Sequence, residues 1–442
     1  MQNFDFYNPT KVVFGTEQLS QLSTLIPRQA KIMLLYGKSS VKRLGILEQV
    51  KQALALPAYQ IIEFGGIEPN PDIAQLVEAI YVARKNKVDY LLALGGGSVI
   101  DATKFISGHI NYEQFDILLF DVNKDLFEVA EQDILFDSNN QEFINTPTPF
   151  GVVLTCPGTG SEMNRWAVIS DKFRQIKIDF GHENLFPQFT IIDPSLTLSL
   201  PQRQVQNGVV DAMVHIFEQY LLVDTARNQN EVACQMAEGL LRVLWQYGPL
   251  TVAEPKNLEY RANFCWAATM ALNGYLSVGL NEEDWSSHQI GHMLTALYDI
   301  EHAPSLAAVF IANLQQRFVA KTPALARFAH QVLGIKTKNP SKAAQQALER
   351  IADYFTRMQM PISLVDYRLQ RPRVIMQYIS QCMRKQNQRS FGEFAQVNKK
   401  MIYAIIKSQP LRIKERRRVK ILSHLRVACK TYNFKKTKQT KK

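Results

Sequence analysis

The sequence predicts an N-terminal α/β domain built on a parallel sheet, followed by an all-helical C-terminal domain. Two observations carry this reading. Strand-like and helix-like runs alternate over residues 1–200, and long helical patterns with few β-branched clusters fill residues 201–408. Strands that alternate with helices need crossover connections, which place helices on both faces of a parallel sheet. At 442 residues the chain is long enough for two hydrophobic cores.

The elements follow in order. Lys31–Tyr36 (KIMLLY) reads as a buried strand, then comes a Gly/Ser loop and the helical VKRLGILEQVKQAL. Tyr59–Phe64 reads as a second strand, followed by the turn GGIEPNPD. Asp72 opens an amphipathic helix that runs to about Lys87, and Val88–Leu94 is a third strand. Further strand-like runs lie at Gly151–Cys156, Gln175–Phe180 and Thr190–Asp193. After Pro201 the helices are punctuated by Pro249, Pro255, Pro304, Pro323, Pro340 and Pro361.

Composition narrows the function classes. Apolar residues make up 46% and charged residues 21%, ordinary for a soluble globular protein. No run approaches the ~18 apolar residues of a membrane span, and the opening MQNFDFYNPTKVVFG lacks the pattern of a signal peptide. Five scattered cysteines without C-x-x-C spacing predict free thiols in a reducing cytoplasm. The net charge of +11 is concentrated at the end of the chain: residues 411–442 hold thirteen Lys or Arg against one Glu. That segment carries +12 and leaves residues 1–410 near −1. The globular part is therefore not a nucleic-acid binder on charge grounds. Residues 409–442 are expected to form a disordered basic tail, the one segment suited to an anionic surface.

Three loops suit a dinucleotide. Gly95-Gly96-Gly97-Ser98, with Asp101 a turn later, directly follows the third strand and opens a helix. Glycines let the backbone approach a phosphate, and a helix N-terminus offers free N–H groups and a positive dipole end. Gly37-Lys38-Ser39-Ser40 follows the first strand, where an acidic residue would repel a 2′-phosphate; a lysine and two hydroxyls favour NADP over NAD. Thr155–Glu162 (TCPGTGSE) adds small hydroxyl residues and glycines beyond another strand, although a plain polar turn has the same composition.

Asp211 and His215 stand at i and i+4 in NGVVDAMVHIFEQY, on one face of a helix and suited to a single ion. His288, His292 and His302 follow some seventy residues later. His288 and His302 would sit roughly 21 Å apart on one straight helix. If both hold the same ion, the chain must bend, and Tyr298–Glu301 is the expected place. One carboxylate and three imidazoles suit Fe2+ or Zn2+. The spacing alone is equally compatible with hydrogen-bonded core histidines.

The chain resembles the iron-containing alcohol dehydrogenase family, closest to its NADPH-dependent butanol dehydrogenases and broad-specificity aldehyde reductases. The matching segments are PTKVVFG, FGGIEPNP, LLALGGGSVIDATKFI, TGSEMN, IDPSLTLSLPQRQVQNGVVDAMVHIFEQY, RANFCWAATMALNG and WSSHQIGHMLTA. The resemblance implies a dehydroquinate synthase-like fold with a deep cleft between the two domains, binding NADP(H) and a divalent Fe2+ or Zn2+. It implies that Asp211, His215, His288 and His302 are the metal ligands and that His292 helps to relay a proton. It places Gly95, Gly96, Gly97, Ser98 and Asp101 at the pyrophosphate, and Thr155, Thr159 and Lys177 along the cofactor. A small aldehyde or alcohol substrate and a homodimer are implied as well.

Some residues depart from the family pattern. The stretch 116–148 is longer and more acidic than the usual connection. Met293 replaces an acidic residue, Tyr298 a frequent histidine and Ile311 a proline. Two competing readings are an NAD-linked polyol dehydrogenase of glycerol type and a non-catalytic binding protein with a functional basic tail.

Overall fold

The structure is a computed structural model, which describes residues 1–55, 59–112, 146–223, 230–367 and 371–411. Positions 116–145 of the acidic stretch and the tail beyond Leu411 lie outside the described residues.

The N-terminal half is organised on six strands: β1 (Lys11–Phe14), β2 (Lys31–Gly37), β3 (Gln60–Ile67), β4 (Tyr90–Gly96), β5 (Phe150–Cys156) and, after a separate hairpin, β8 (Phe189–Ile192). Their order across the sheet is β1-β8-β5-β4-β2-β3, and every pairing is parallel. The hairpin, β6 (Trp166–Asp171) and β7 (Ile176–Gly181), is antiparallel and stands outside that sheet. The strand expected at Gln175–Phe180 therefore belongs to the hairpin.

A parallel strand covered on both faces should be apolar throughout rather than alternating. Ile32–Leu35 of β2 and Leu91–Leu94 of β4 are fully buried. Successive residues point to opposite faces. Met33, Leu35, Leu91 and Ala93 pack under the helices α2 (Ile73–Lys85) and α3 (Gly97–His109). Ile32, Leu34, Leu92 and Leu94 pack on the other face with Val50 of α1 (Ile46–Ala53). The helix expected over Val41–Leu54 is broken, because Gly45 adopts a left-handed φ of 71°.

The second half is built on α4 (Gln202–Tyr220), α5 (Glu231–Ala253), α6 (Leu258–Ala271), α7 (Ser286–Tyr298), α8 (His302–Gln316), α9 (Phe318–Gln331), α10 (Pro340–Arg357), α11 (Pro372–Lys385) and α12 (Lys399–Ile406). From Val205 onward α4 is buried almost all round, the pattern of a central core helix. Its Met213 and Phe217 pack in one core with Leu244 of α5, Phe264 of α6, Phe310 of α8 and Phe328 of α9. The expected all-helical character is modified by one short antiparallel pair, Ser390–Phe391 with Val397–Asn398. Among the described residues no helix is long and apolar enough to cross a membrane.

Candidate metal centre and cofactor cleft

Chain order places the cofactor loops. After β2 the chain crosses to β3 at the sheet edge, then returns to the other side of β2 as β4. Such a reversal opens a crevice at the C-terminal ends of the two strands, where open α/β sheets bind their ligands. Tyr36 pairs with Leu94, so the loops Gly37–Ser40 and Gly95–Ser98 emerge side by side. A Cβ on Gly95 would lie 2.5 Å from Val99 Cγ2, on Gly96 2.7 Å from Cys156 Cβ, and on Gly97 2.6 Å from Thr159 Cγ2. The loop is glycine because its neighbours leave no room for a side chain. Gly97 begins α3, whose first N–H groups point out of the strand end. Thr155 and Thr159, at the end of β5 and in the loop after it, are partly exposed beside this loop.

Three expected cofactor residues are engaged by the protein. The Asp101 carboxylate accepts from Ser161 Oγ at 2.6 Å and from the Val168 amide at 3.0 Å, which ties α3 to the hairpin. Lys38 is 2.8 Å from Glu68, which also accepts from Lys172 at 2.5 Å. These two ammonium groups, Lys172 first, hold the Glu68 carboxyl down to about 2. Two cations share the Glu68 carboxylate at the mouth of the β2 loop. Lys177 on β7 donates to Asn70 Oδ1 at 2.8 Å. Burial pushes its ammonium down to about 8, although part of its side chain reaches solvent. Lys104 was not singled out by the sequence. It is fully buried and donates to Ser161 O, Ser161 Oγ, Asn164 Oδ1 and Trp166 O, a packing role on the hairpin.

The loop meets the metal helix directly. Gly158 has a φ of +155°, and a Cβ there would lie 2.7 Å from Gly208 Cα; one on Gly208 would lie 2.3 Å from the Pro157 carbonyl oxygen. Gly208 stands one turn before Asp211 on α4. Two glycines facing each other thus bring the cofactor side and the metal side into backbone contact.

The bend expected at Tyr298–Glu301 is present. α7 ends at Tyr298, Asp299 turns left-handed with φ 50°, and α8 begins at His302. Glu301 fixes the return by accepting from Arg203 Nε at 2.8 Å and Asn207 Nδ2 at 3.2 Å, both on α4. The His288 and His302 rings come to 5.5 Å between centroids. Asp211, His215 and His288 offer ligand atoms within 4.8 Å of one another. Asp211 Oδ1 lies 3.9 Å from His215 Nε2, 4.0 Å from His288 Nε2 and 3.5 Å from His302 Nε2. Four ligands at about 2.1 Å around a tetrahedral ion are about 3.4 Å apart, so the spacing is close to that of a filled site. Asp211 Oδ1 and His288 Nε2 are buried with no hydrogen-bond partner. Such orphaned groups are costly unless something else compensates them, and an ion held between them would do so.

The electrostatics agree with the donor set. Burial holds His215 down at about 4 and His288 at about 3, so both rings are neutral and able to ligate. His302 and His292 are lowered as well, first by burial. Burial raises the Asp211 carboxyl, opposed by His215 and Lys177. Of the four expected ligands, Asp211, His215 and His288 form the mutually close group, and His302 joins it through Asp211 at 3.5 Å. His292 stands one turn past His288, with its ring 5.0 Å from that of His302.

The sequence reading missed Glu218, which touches His288. Its position seven residues after Asp211 on α4 was the available signal, since i and i+7 share a helix face.

Residues 9–194 match the model of iron-containing alcohol dehydrogenase, and residues 205–409 that of the Fe-containing alcohol dehydrogenase family, C-terminal. The chain belongs to the iron-containing alcohol dehydrogenase family. It is 39% identical over 369 residues to the NADPH-dependent aldehyde reductase YqhD of Escherichia coli K12, covering 84% of this chain and 90% of that protein. It is 36% identical to NADP-dependent alcohol dehydrogenase 3 of Entamoeba histolytica, over 79% of this chain and 86% of the relative. The crystal structure of NADH-dependent butanol dehydrogenase A from Thermotoga maritima superposes with a TM-score of 0.82 at 31% identity, covering 92% of this chain and 98% of that one.

Proposed function

We propose that this chain is a metal-dependent, NADP(H)-linked alcohol dehydrogenase that interconverts a small aldehyde and its alcohol. The observation that carries the reading is the convergence of Asp211, His215 and His288, with His302 3.5 Å from Asp211, one helical turn from the glycine contact that joins α4 to the cofactor loops. When bound, a divalent ion supplies a Lewis acid for the carbonyl oxygen and NADPH supplies the hydride. The protein's own part is placement. Asp211 and the three neutral imidazoles hold the ion, and iron and zinc both accept this set. Gly95–Ser98 present N–H groups to the pyrophosphate, with Thr155, Thr159 and Lys177 along the cofactor. The family resemblance gives His292 the part of helping to relay a proton to the oxygen of the product alcohol.

Coenzyme preference rests on the β2 loop, because the relatives bear both NADPH and NADH names. Lys38, Ser39 and Ser40 offer a cation and two hydroxyls where an acidic residue would exclude a 2′-phosphate. The same reading takes the protein as a homodimer. Strand β1 lies at the sheet edge, and its exposed Phe14 packs edge-on against exposed Trp266. It also takes the location as cytoplasmic, supported by Cys156, Cys234, Cys265 and Cys382, all of which are free.

The test is aldehyde-dependent oxidation of NADPH and NADH by protein loaded in turn with iron and zinc. Wild type is expected to favour NADPH, and Lys38→Ala to raise the NADPH KM about tenfold, or about 1.4 kcal/mol, while NADH is little changed. His288→Ala is expected to abolish turnover; normal activity in that variant would sink the metal assignment.

A further inference from the structure

Beside the metal centre lies a buried polar frame that the ligands alone do not explain. Glu218 of α4 is buried, and its Oε1 accepts the Ser287 amide at 2.7 Å. Its Oε2 accepts the His288 amide at 3.3 Å and lies 2.5 Å from His288 Nδ1. Two of these contacts come from backbone N–H groups, which can only donate, so each Glu218 oxygen accepts at least one hydrogen bond. With Glu218 ionised, the ring nitrogen facing it carries the hydrogen. Asn313, on the helix that His302 opens, donates to the hydroxyls of Ser286 and Ser287 at 2.8 and 3.0 Å. Ser286 in turn donates to Asp284 at 2.6 Å. Asp284 is held by Arg317 at 2.8 Å and Lys321 at 2.6 Å, and the same two cations hold Glu393. The three helices that carry the metal ligands are therefore tied together at the N-terminus of α7.

We propose that Glu218 is a positioning residue of the metal centre, fixing His288 as the Nδ1–H tautomer with Nε2 bare and aimed beside Asp211. Carboxylates that hold the far nitrogen of a ligating histidine fix its ring orientation and raise its basicity. Here the carboxylate comes from the helix of Asp211 and His215, so one group aligns ligands on two helices. A glutamine at 218 keeps one acceptor oxygen in place of two, so either the His288 ring or the Ser287 amide loses its acceptor.

The inference rests on the metal reading above, and the experiment separates the two. Zinc affinity of chelator-stripped protein is measured by competition with a chromophoric chelator for wild type, Glu218→Gln, His288→Ala and the double variant. Wild type that binds no zinc overturns the metal reading itself. With wild type binding, Glu218→Gln is expected to weaken zinc by roughly 10- to 100-fold and to add nothing in the His288→Ala background. An affinity within threefold of wild type, or a full additional loss in the double variant, overturns the positioning role. Cobalt-substituted wild type and Glu218→Gln are expected to differ in their visible ligand-field bands; identical spectra also overturn it. If Glu218→Gln does not fold, histidine-selective nitrogen-15 spectra of zinc-loaded wild type decide. A protonated Nδ1 on His288 supports the role, and a protonated Nε2 removes it.

Discussion

Gly208 shows how much of the site depends on an atom that is missing. It is a buried position of α4, where alanine would ordinarily favour the helix. Here an added Cβ would lie 2.3 Å from the Pro157 carbonyl and 3.0 Å from the Phe264 ring. Backbone cannot yield as a side chain can, so the Pro157–Gly158 turn must retreat from α4. Gly208→Ala is expected to cost about 1–3 kcal/mol, the range for overpacking, and to raise the NADPH KM because the turn leads into Thr159. Thermal unfolding and steady-state kinetics check both, and an unchanged KM would remove the link between the turn and the cofactor. At this scale the sequence was informative where chemistry repeats at a local period. Asp211 and His215 could be paired because i and i+4 share a helix face. Asp101 had the right residue type in the right loop, but its carboxylate is turned by Ser161 and Val168, sixty or more residues away. Local spacing carries no information about such partners.

Elements were legible when their burial was uniform. β2, β4 and β5 are near-continuous apolar runs between turn residues, and each was found within a few residues of its ends. β1 and β6 were not, because KVVF is a short, half-exposed edge strand and WAVISD belongs to a hairpin off the main sheet. The bend before His302 was inferred from a geometric requirement, and Asp299 supplies it with a left-handed residue. The start of α7 depends on a feature that no local pattern marks. Asp284, Arg317, Lys321 and Glu393 form a buried ion cluster whose members are more than a hundred residues apart at the extremes. The two cations pull the Asp284 carboxyl well below its usual range against the opposing effect of burial. Asp284→Asn leaves both cations with Glu393 as their one carboxylate partner. Breaking a buried ion pair this way costs about 3–5 kcal/mol, so urea unfolding should show a loss of that order. A change under about 1 kcal/mol would mean that solvent reaches the cluster.

For the whole molecule, the two-domain division could be read from the switch of periodicity after Pro201, but the order of strands could not. Placing β4 between β2 and β5 depends on pairings such as Ile32 with Tyr90 and Leu91 with Phe150, which composition does not encode. Charge, by contrast, is additive and was readable at once. The body is near −1, and residues 411–442 carry +12. A basic segment of that strength binds anionic surfaces by releasing their counterions, an effect that falls steeply with salt. The candidate site and the exposed Phe14–Trp266 edge both lie within the described residues. A chain ending at Leu411 is therefore expected to keep the kcat/KM for aldehyde, a thermal midpoint within about 3 °C, and a dimer mass by sedimentation velocity. It should also leave a heparin column at lower salt than the full chain. A monomer mass for both forms would remove the dimer, and lost turnover in the shortened chain would give the tail a place in catalysis.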